Sequence, residues 1–265
     1  MRGMMIPLST QSIAARAGAA AQRVSIEVMA ETGSTNADLL ARLDRLERPT
    51  LLLAEVQNAG RGRAGRPWYS APGAALMFSL AWKFPRPLHG LAGLPLAVGV
   101  AIAQALSGFG VEARLKWPND VLREGRKLAG ILIESAAVRQ LGPASWAVIG
   151  AGINIAPPEE VVRQIGNPVA GMPPQTDRNA LMGALLEALV QALDRFGQAG
   201  FAPFMEPWNG LHAHAGSEVV ILDHGRVLHE GRAQGVDAGG RLLLETAAGT
   251  VTVMGGDVSL RVRGA

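Results

Sequence analysis

Cysteine is absent from the 265 residues, which excludes disulfides, thiolate-bound metals and thiol nucleophiles. That lack suits a reducing cytoplasm. Lysine is almost absent as well, with Lys83, Lys116 and Lys127 standing against 22 arginines. A chain so biased toward guanidinium has reason to keep an ammonium where a compact, mobile point charge is needed. The alternative is that Lys116 and Lys127 merely flank strands and solvate them. Acidic residues are missing from positions 1–26, where Arg2, Arg16 and Arg23 carry the whole net charge of +3. The remainder balances to zero, which argues against a nucleic-acid-binding body. No repeat period runs through the chain, and residues 1–24 lack the continuous apolar core of a secretory signal. They read as a flexible extension. Histidines are few, and His212 and His214, two apart with no carboxylate neighbour, read as surface residues on a loop. No metal-ligating cluster is visible.

What is present is a globular composition, 48% hydrophobic with 33 glycines, long enough for one large domain and a small appendage. Residues 90–111 carry no charge over a length that could span a bilayer. Five glycines, Pro95, Gln104 and Ser107 dilute that run, so it is expected as a helix buried inside the fold rather than a membrane span. Strands are expected at residues 25–30, 50–56, 75–82, 113–116, 128–135 and 146–155. Ser34 is expected to cap a helix with Leu39, Leu40 and Leu43 on its apolar face, and residues 179–196 to form an amphipathic helix. The pattern predicts an α+β fold, a mixed β-sheet packed with helices, over residues 25–210. After residue 210 come SEVVIL, RLLLE and TVTVM, short strands split by turn signals. Residues 211–265 are therefore expected to form a small β-barrel of SH3-like type.

Four segments have chemical potential. GRGRAGRPW, residues 60–68, alternates glycine with arginine. Glycines expose backbone N–H groups while guanidinium forks supply charge, which describes an anion cradle. A solvated Arg/Gly loop is the alternative. KWPNDV, residues 116–121, places Asn119-Asp120 after Pro118 as a turn, and RKLAGIL follows at residues 126–132. TGSTN, residues 32–36, offers hydroxyls and an amide that either cap the helix or bind a uniform polar group such as a ureido. GAGIN, residues 150–154, reads alone only as a tight strand exit.

In this order, with AEVQNAGRGRAGRPW, IGAGINI and a closing GGDVSLR, these segments resemble the bacterial biotin protein ligases, also called biotin–acetyl-CoA-carboxylase ligases, from about Ser25 to Arg261. The resemblance implies a class II synthetase-like catalytic fold with the SH3-like C-terminal domain. It implies formation of biotinyl-5′-AMP from biotin and ATP with Mg²⁺, then transfer to a lysine of a biotin carrier domain of a carboxylase. It places Ser34, Thr35, Asn36, Gln57, Gly60, Arg61, Lys127 and Gly130 at biotin, and Arg63, Arg66, Trp68, Asn119, Asn154 and Arg261 at the nucleotide. Lys127, Arg63 and Asp120 are the implied catalytic residues. Lys127 would bridge carboxylate and α-phosphate, Asp120 would orient or deprotonate the acceptor lysine, and the Arg/Gly loop would close over the adenylate. Some family members carry an N-terminal helix-turn-helix. The short leader here is too small for one, so no DNA partner is expected. A homodimer is left open. The rival readings are a lipoate-protein ligase and a non-catalytic Arg-rich binding module.

Overall fold

A computed structural model describes residues 6–137, 144–256 and 258–263. In chain order the main elements are α1 (Thr10–Ala14), α2 (Ala20–Arg23), β1 (Ser25–Thr32), α3 (Thr35–Leu40), β2 (Thr50–Gln57), β3 (Ala75–Phe84), α4 (Leu94–Ser107), β4 (Ala113–Lys116), β5 (Asp120–Arg123), β6 (Arg126–Ala137) and β7 (Ser145–Asn154). They continue as α5 (Glu159–Ile165), α6 (Arg178–Ala199), α7 (Met205–Leu211), β8 (Glu218–Asp223), β9 (Arg226–Val236), β10 (Leu242–Thr246), β11 (Gly249–Val253) and β12 (Val258–Val262). Asp257, within the GGDVSLR ending, lies outside the described residues, as do residues 1–5.

The first seven strands form one mixed sheet in the order β1-β2-β3-β7-β6-β5-β4, parallel between β1 and β2 and antiparallel elsewhere. Strand β3, beside the central β7, is buried along its length except at Lys83, as expected of a strand covered on both faces. One face, with Leu76, Phe78 and Leu80 of β3 and Ile149 and Ile153 of β7, packs under α4 and α6. Helix α4 is thus a core helix, as its glycines and polar residues imply. On the opposite face α3 covers only one corner, where Leu39 and Leu43 meet Leu52, Ala81, Trp146 and Val148. The rest of that face is open, and it is where polar residues gather.

Residues 6–24 are not the flexible extension that their sequence suggests. Leu8, Ile13, Ala17, Ala20 and Val24 belong to the main core, and α1 and α2 lie against α6. Gly183 of α6 permits this, because a Cβ there would stand 2.6 Å from that of Arg16. The segment is tied by its backbone: Leu8 N–H donates to Glu55 (2.7 Å), Ser9 N–H to Asn179 Oδ1 (2.8 Å), and Arg178 donates to the Ile6 carbonyl (3.0 Å). Arg178 also pairs with Glu55 at 2.6 Å while only 4% exposed. Small apolar residues in two brief helices leave too little periodicity to be read from sequence.

The last five strands form an antiparallel sheet, β11-β10-β9-β8-β12, around Ile221, Ala233, Leu242, Leu244 and Leu260. It docks against the start of α4 and the turn after β4 through close contact. Gly240, at φ +77, leaves room for the Gly93 Cα, 2.8 Å from where its Cβ would stand, and the Trp117 indole N–H donates to the Gly240 carbonyl (3.3 Å).

His212 is not a surface residue, and His214 beside it is half-buried. Ala213 N–H donates to the Leu115 carbonyl (2.8 Å), which lays this stretch along the free edge of β4. His212 is 6% exposed, its ring centroid is 4.7 Å from that of Trp208, and neither ring nitrogen has a hydrogen-bond partner among the described residues. Burial, with His214 alongside, lowers its pKa from 6.5 to about 4. The unfolded chain therefore takes up this proton first as pH falls, and stability drops between the two values. At pH 5 the loss is about 2 kcal/mol. Chemical denaturation at pH 7.5 and pH 5 measures it, and His212→Phe should reduce the loss by about that amount. Equal losses in both proteins would clear His212 of this role.

Candidate active site

The open face of the sheet holds a cavity of about 740 Å³, within the range of small-molecule sites. Its floor is made by β3, β7 and β6, where Met77–Gly152–Gly130 and Ser79–Gly150–Leu132 are in register. These glycines are not a strand exit, as GAGIN alone suggests. They lie within strands and clear space for side chains from elsewhere. A Cβ on Gly150 would stand 2.3 Å from Asn36 Oδ1, and one on Gly152 would stand 2.5 Å from the Trp68 ring.

One end of the cavity is polar and uncharged. Ser34 caps α3, its hydroxyl accepting from Ala37 N–H (3.5 Å), which places Thr35 and Asn36 at the first turn. Both are almost wholly buried. Gln57, at the end of β2, accepts from Thr35 N–H at 2.8 Å. Ser79 lies 2.7 Å from Thr35 Oγ1 and donates to Asn36 Oδ1 at 2.6 Å, while Asn36 Nδ2 donates to Glu134 at 2.8 Å. Capping and ligand-facing roles are therefore shared among neighbouring residues here.

The other end is cationic. The Arg/Gly loop folds back on itself: Trp68 N–H donates to the Gly60 carbonyl (2.9 Å) and Gly62 N–H to that of Arg66 (2.7 Å). Ala64 (φ 52) and Gly65 (φ 69) make the left-handed turn between them. Arg63 donates to Asn119 Oδ1 (2.9 Å) and to the Val258 carbonyl (3.2 Å), so the loop reaches the C-terminal sheet. Lys127 pairs with Asp120 at 2.6 Å and lies 5.9 Å from the centre of the Trp68 ring. Gly130 gives it room, since a Cβ there would sit 3.1 Å from Nζ. Asn154 donates to the Lys127 carbonyl (3.3 Å). Arg261, Arg61 and Arg66 complete this end.

Every residue that the family resemblance implies for the site lines this one cavity except Gly60, which stands behind the loop with its carbonyl bound to Trp68. Sequence reasoning missed Ser79 and Glu134. The lone hydroxyl within ALMFSLAWKF was a usable signal for the first. Lys116 and His214 also face the cavity. Burial pushes the Lys116 ammonium below the usual lysine range, opposed by Asp120 and reinforced by Arg261 and Lys127. The His214 imidazole is lowered by burial and by Lys116.

A hydrogen-bonding pocket joined to a cationic one, on a mixed sheet with a small β-domain behind it, defines a class, and the chain matches known members of it. Residues 27–154 match the Biotin/lipoate A/B protein ligase family, and residues 214–261 match the Biotin protein ligase C terminal domain. The bifunctional ligase/repressor BirA of Escherichia coli is 39% identical over 243 residues, covering 89% of this chain and 74% of that protein. The biotin–[acetyl-CoA-carboxylase] ligase of Mycobacterium tuberculosis is 34% identical over 245 residues, covering 88% of each. A solved biotin protein ligase from Aquifex aeolicus, in complex with biotin and ATP, is 27% identical with a TM-score of 0.75, covering 90% of this chain and 99% of that one. The chain belongs to the biotin protein ligase family.

Proposed function

We propose that this cavity joins biotin to ATP as biotinyl-5′-AMP and then passes the biotinyl group to a lysine on the carrier domain of a biotin-dependent carboxylase in the cytoplasm. The observation that carries this reading is the position of Lys127, which stands where the uncharged pocket meets the cationic one. In the first step a carboxylate oxygen attacks the α-phosphorus and the bond to pyrophosphate breaks. Two anions must approach, so a cation between them favours the crowded transition state over the separate ligands. Thr35 and Gln57 would hold the ureido ring with Ser34 and Asn36 beside them, and Arg61 would close over it. Arg63, Arg66, Trp68, Asn119, Asn154 and Arg261 would take the nucleotide.

In the second step the lysine amine attacks the acyl carbon, AMP leaves, and one proton is lost from the amine. Asp120 is the carboxylate of the described cavity lining. Once Lys127 turns to the phosphate, Asp120 is released to orient that amine. A single carboxylate in the lining cannot cage a cation, and no metal-ligating cluster occurs among the described residues, so the site suits a Mg²⁺ carried on the phosphates of ATP. Such an ion would offset phosphate charge. The adenylate is a mixed anhydride, and the Arg/Gly loop above it would keep water away. We propose two domains divided near residue 210, the first taking in residues 6–24 because they pack into its core.

Mass spectrometry after incubation with biotin and Mg-ATP should find biotinyl-5′-AMP bound. An adenylate formed with lipoate alone would favour the lipoate ligase reading, and none with either would end the enzymatic one. Gly150→Ala should weaken biotin binding by at least about tenfold, since the new Cβ must expel Asn36 from its seat. Calorimetric titration checks this, and normal affinity would show that Asn36 is dispensable to the pocket.

A further inference from the structure

Glu134 has no place in the reaction just described, yet it ends a chain of hydrogen bonds that begins at the biotin pocket. We infer that Glu134, acting through Asn36 and Ser79, is a positioning residue that fixes which atoms of the pocket accept hydrogen bonds, and so selects a ligand that donates an N–H at Thr35. The inference rests on assigning the uncharged end of the cavity to biotin.

The order of protons follows from donor and acceptor capacity. A carboxylate only accepts, so Asn36 must turn its amide nitrogen to Glu134, at 2.8 Å, with the Leu132 carbonyl a longer second acceptor at 3.4 Å. Its oxygen then faces Ser79, which must donate, at 2.6 Å. With its single proton used, Ser79 can only accept from Thr35, at 2.7 Å. Thr35 has in turn one proton to give. The Thr35 hydroxyl can also reach Gln57 Oε1, at 3.2 Å, but the shorter contact to Ser79 takes its proton, and Gln57 Oε1 already accepts from Thr35 N–H at 2.8 Å. The outcome is two oxygens facing each other with lone pairs and no proton between them. A ureido N–H supplies the missing donor. The pocket cannot reverse this order while Glu134 holds Asn36, and Asn36, Thr35 and Ser79 are all buried away from water that would blur it.

The test compares biotin with the two cyclic carbamates in which one ureido N–H is replaced by a ring oxygen, measured by calorimetry on the whole protein. The native protein should prefer biotin to the poorer carbamate, the one that lacks the N–H facing Thr35, by about 100-fold or more, because the pocket oxygens then stay unpaired. Glu134→Gln offers a donor as well as an acceptor, so Asn36 can turn over and the chain can reverse. The preference should shrink to about tenfold or less, with the thermal midpoint little changed. Combining Asn36→Asp with Glu134→Gln swaps carboxylate and amide, restores the one-way order, and should bring the preference back near the native value. An unchanged preference in Glu134→Gln, or a double variant no more selective than that single one, overturns the inference. If Thr35→Ala leaves biotin affinity intact, the assignment of biotin to this end falls instead, whatever Glu134 does.

Discussion

Adenylate formation in Lys127→Ala should fall by about two to four orders of magnitude, or about 2.7–5.4 kcal/mol, the scale of losing one preorganised electrostatic contact. The side chain is already aimed: Asp120 holds Nζ at 2.6 Å, the Trp68 ring lies alongside, and Gly130 leaves space beneath. Alanine removes the cation while leaving Thr35, Asn36 and Gln57 in place. Affinity for biotin should therefore weaken less than the rate, although its carboxylate loses a partner. Pyrophosphate exchange reports the first step and calorimetry reports binding. Near-normal exchange would take Lys127 out of the chemistry. A loss of affinity equal to the loss of rate would make it a binding residue only.

Deleting residues 1–22 should abolish stable folding rather than leave a trimmed enzyme. The deletion strips Leu8, Ile13, Ala17 and Ala20 from the main core and uncovers the face of α6 beneath them. Truncating one buried isoleucine to alanine typically costs about 2–5 kcal/mol, so removing the whole segment approaches the total stability of a domain, about 5–15 kcal/mol. The buried pair of Arg178 and Glu55 would also lose the Ile6 carbonyl and the Leu8 N–H that help satisfy it. Ile13→Ala is the milder version, and its denaturation midpoint should drop measurably. A truncated protein with an unchanged midpoint and intact biotin transfer would show the segment to be an appendage after all.

The sheet was legible where burial writes a simple pattern. Residues 50–56 and 75–82 are nearly continuous apolar runs, and they became β2 and β3 with only their ends extended. Strand β9 was not legible. Its residues are largely exposed, and Gly231 and Gly235 break the pattern for reasons lying elsewhere in the fold: a Cβ on Gly231 would meet the Glu245 carbonyl oxygen at 2.4 Å and one on Gly235 the Asn209 side chain at 2.6 Å. The site divides in the same way. Arg/Gly alternation and scarce lysines are visible as chemistry, and the order of the motifs carries the family. Glu134 is invisible because its partner, Asn36, is 98 residues away in the chain. His212 was misread for the converse reason, since nothing around HAH in the sequence announces the Leu115 edge that buries it.

The bare floor of the cavity sets its evolutionary freedom. Gly150 and Gly152 offer a ligand no side chain. They hold vacant lots that Asn36, from a helix, and Trp68, from a loop, come to occupy. Part of what the pocket recognises is therefore encoded outside the sheet, on α3 and the Arg/Gly loop, while Gln57, Lys127 and Asn154 stay on the strands themselves. The two glycines themselves should be frozen. In a saturation library selected for biotin transfer, those codons should accept almost nothing, while neighbouring positions on the connecting segments drift and carry new specificities.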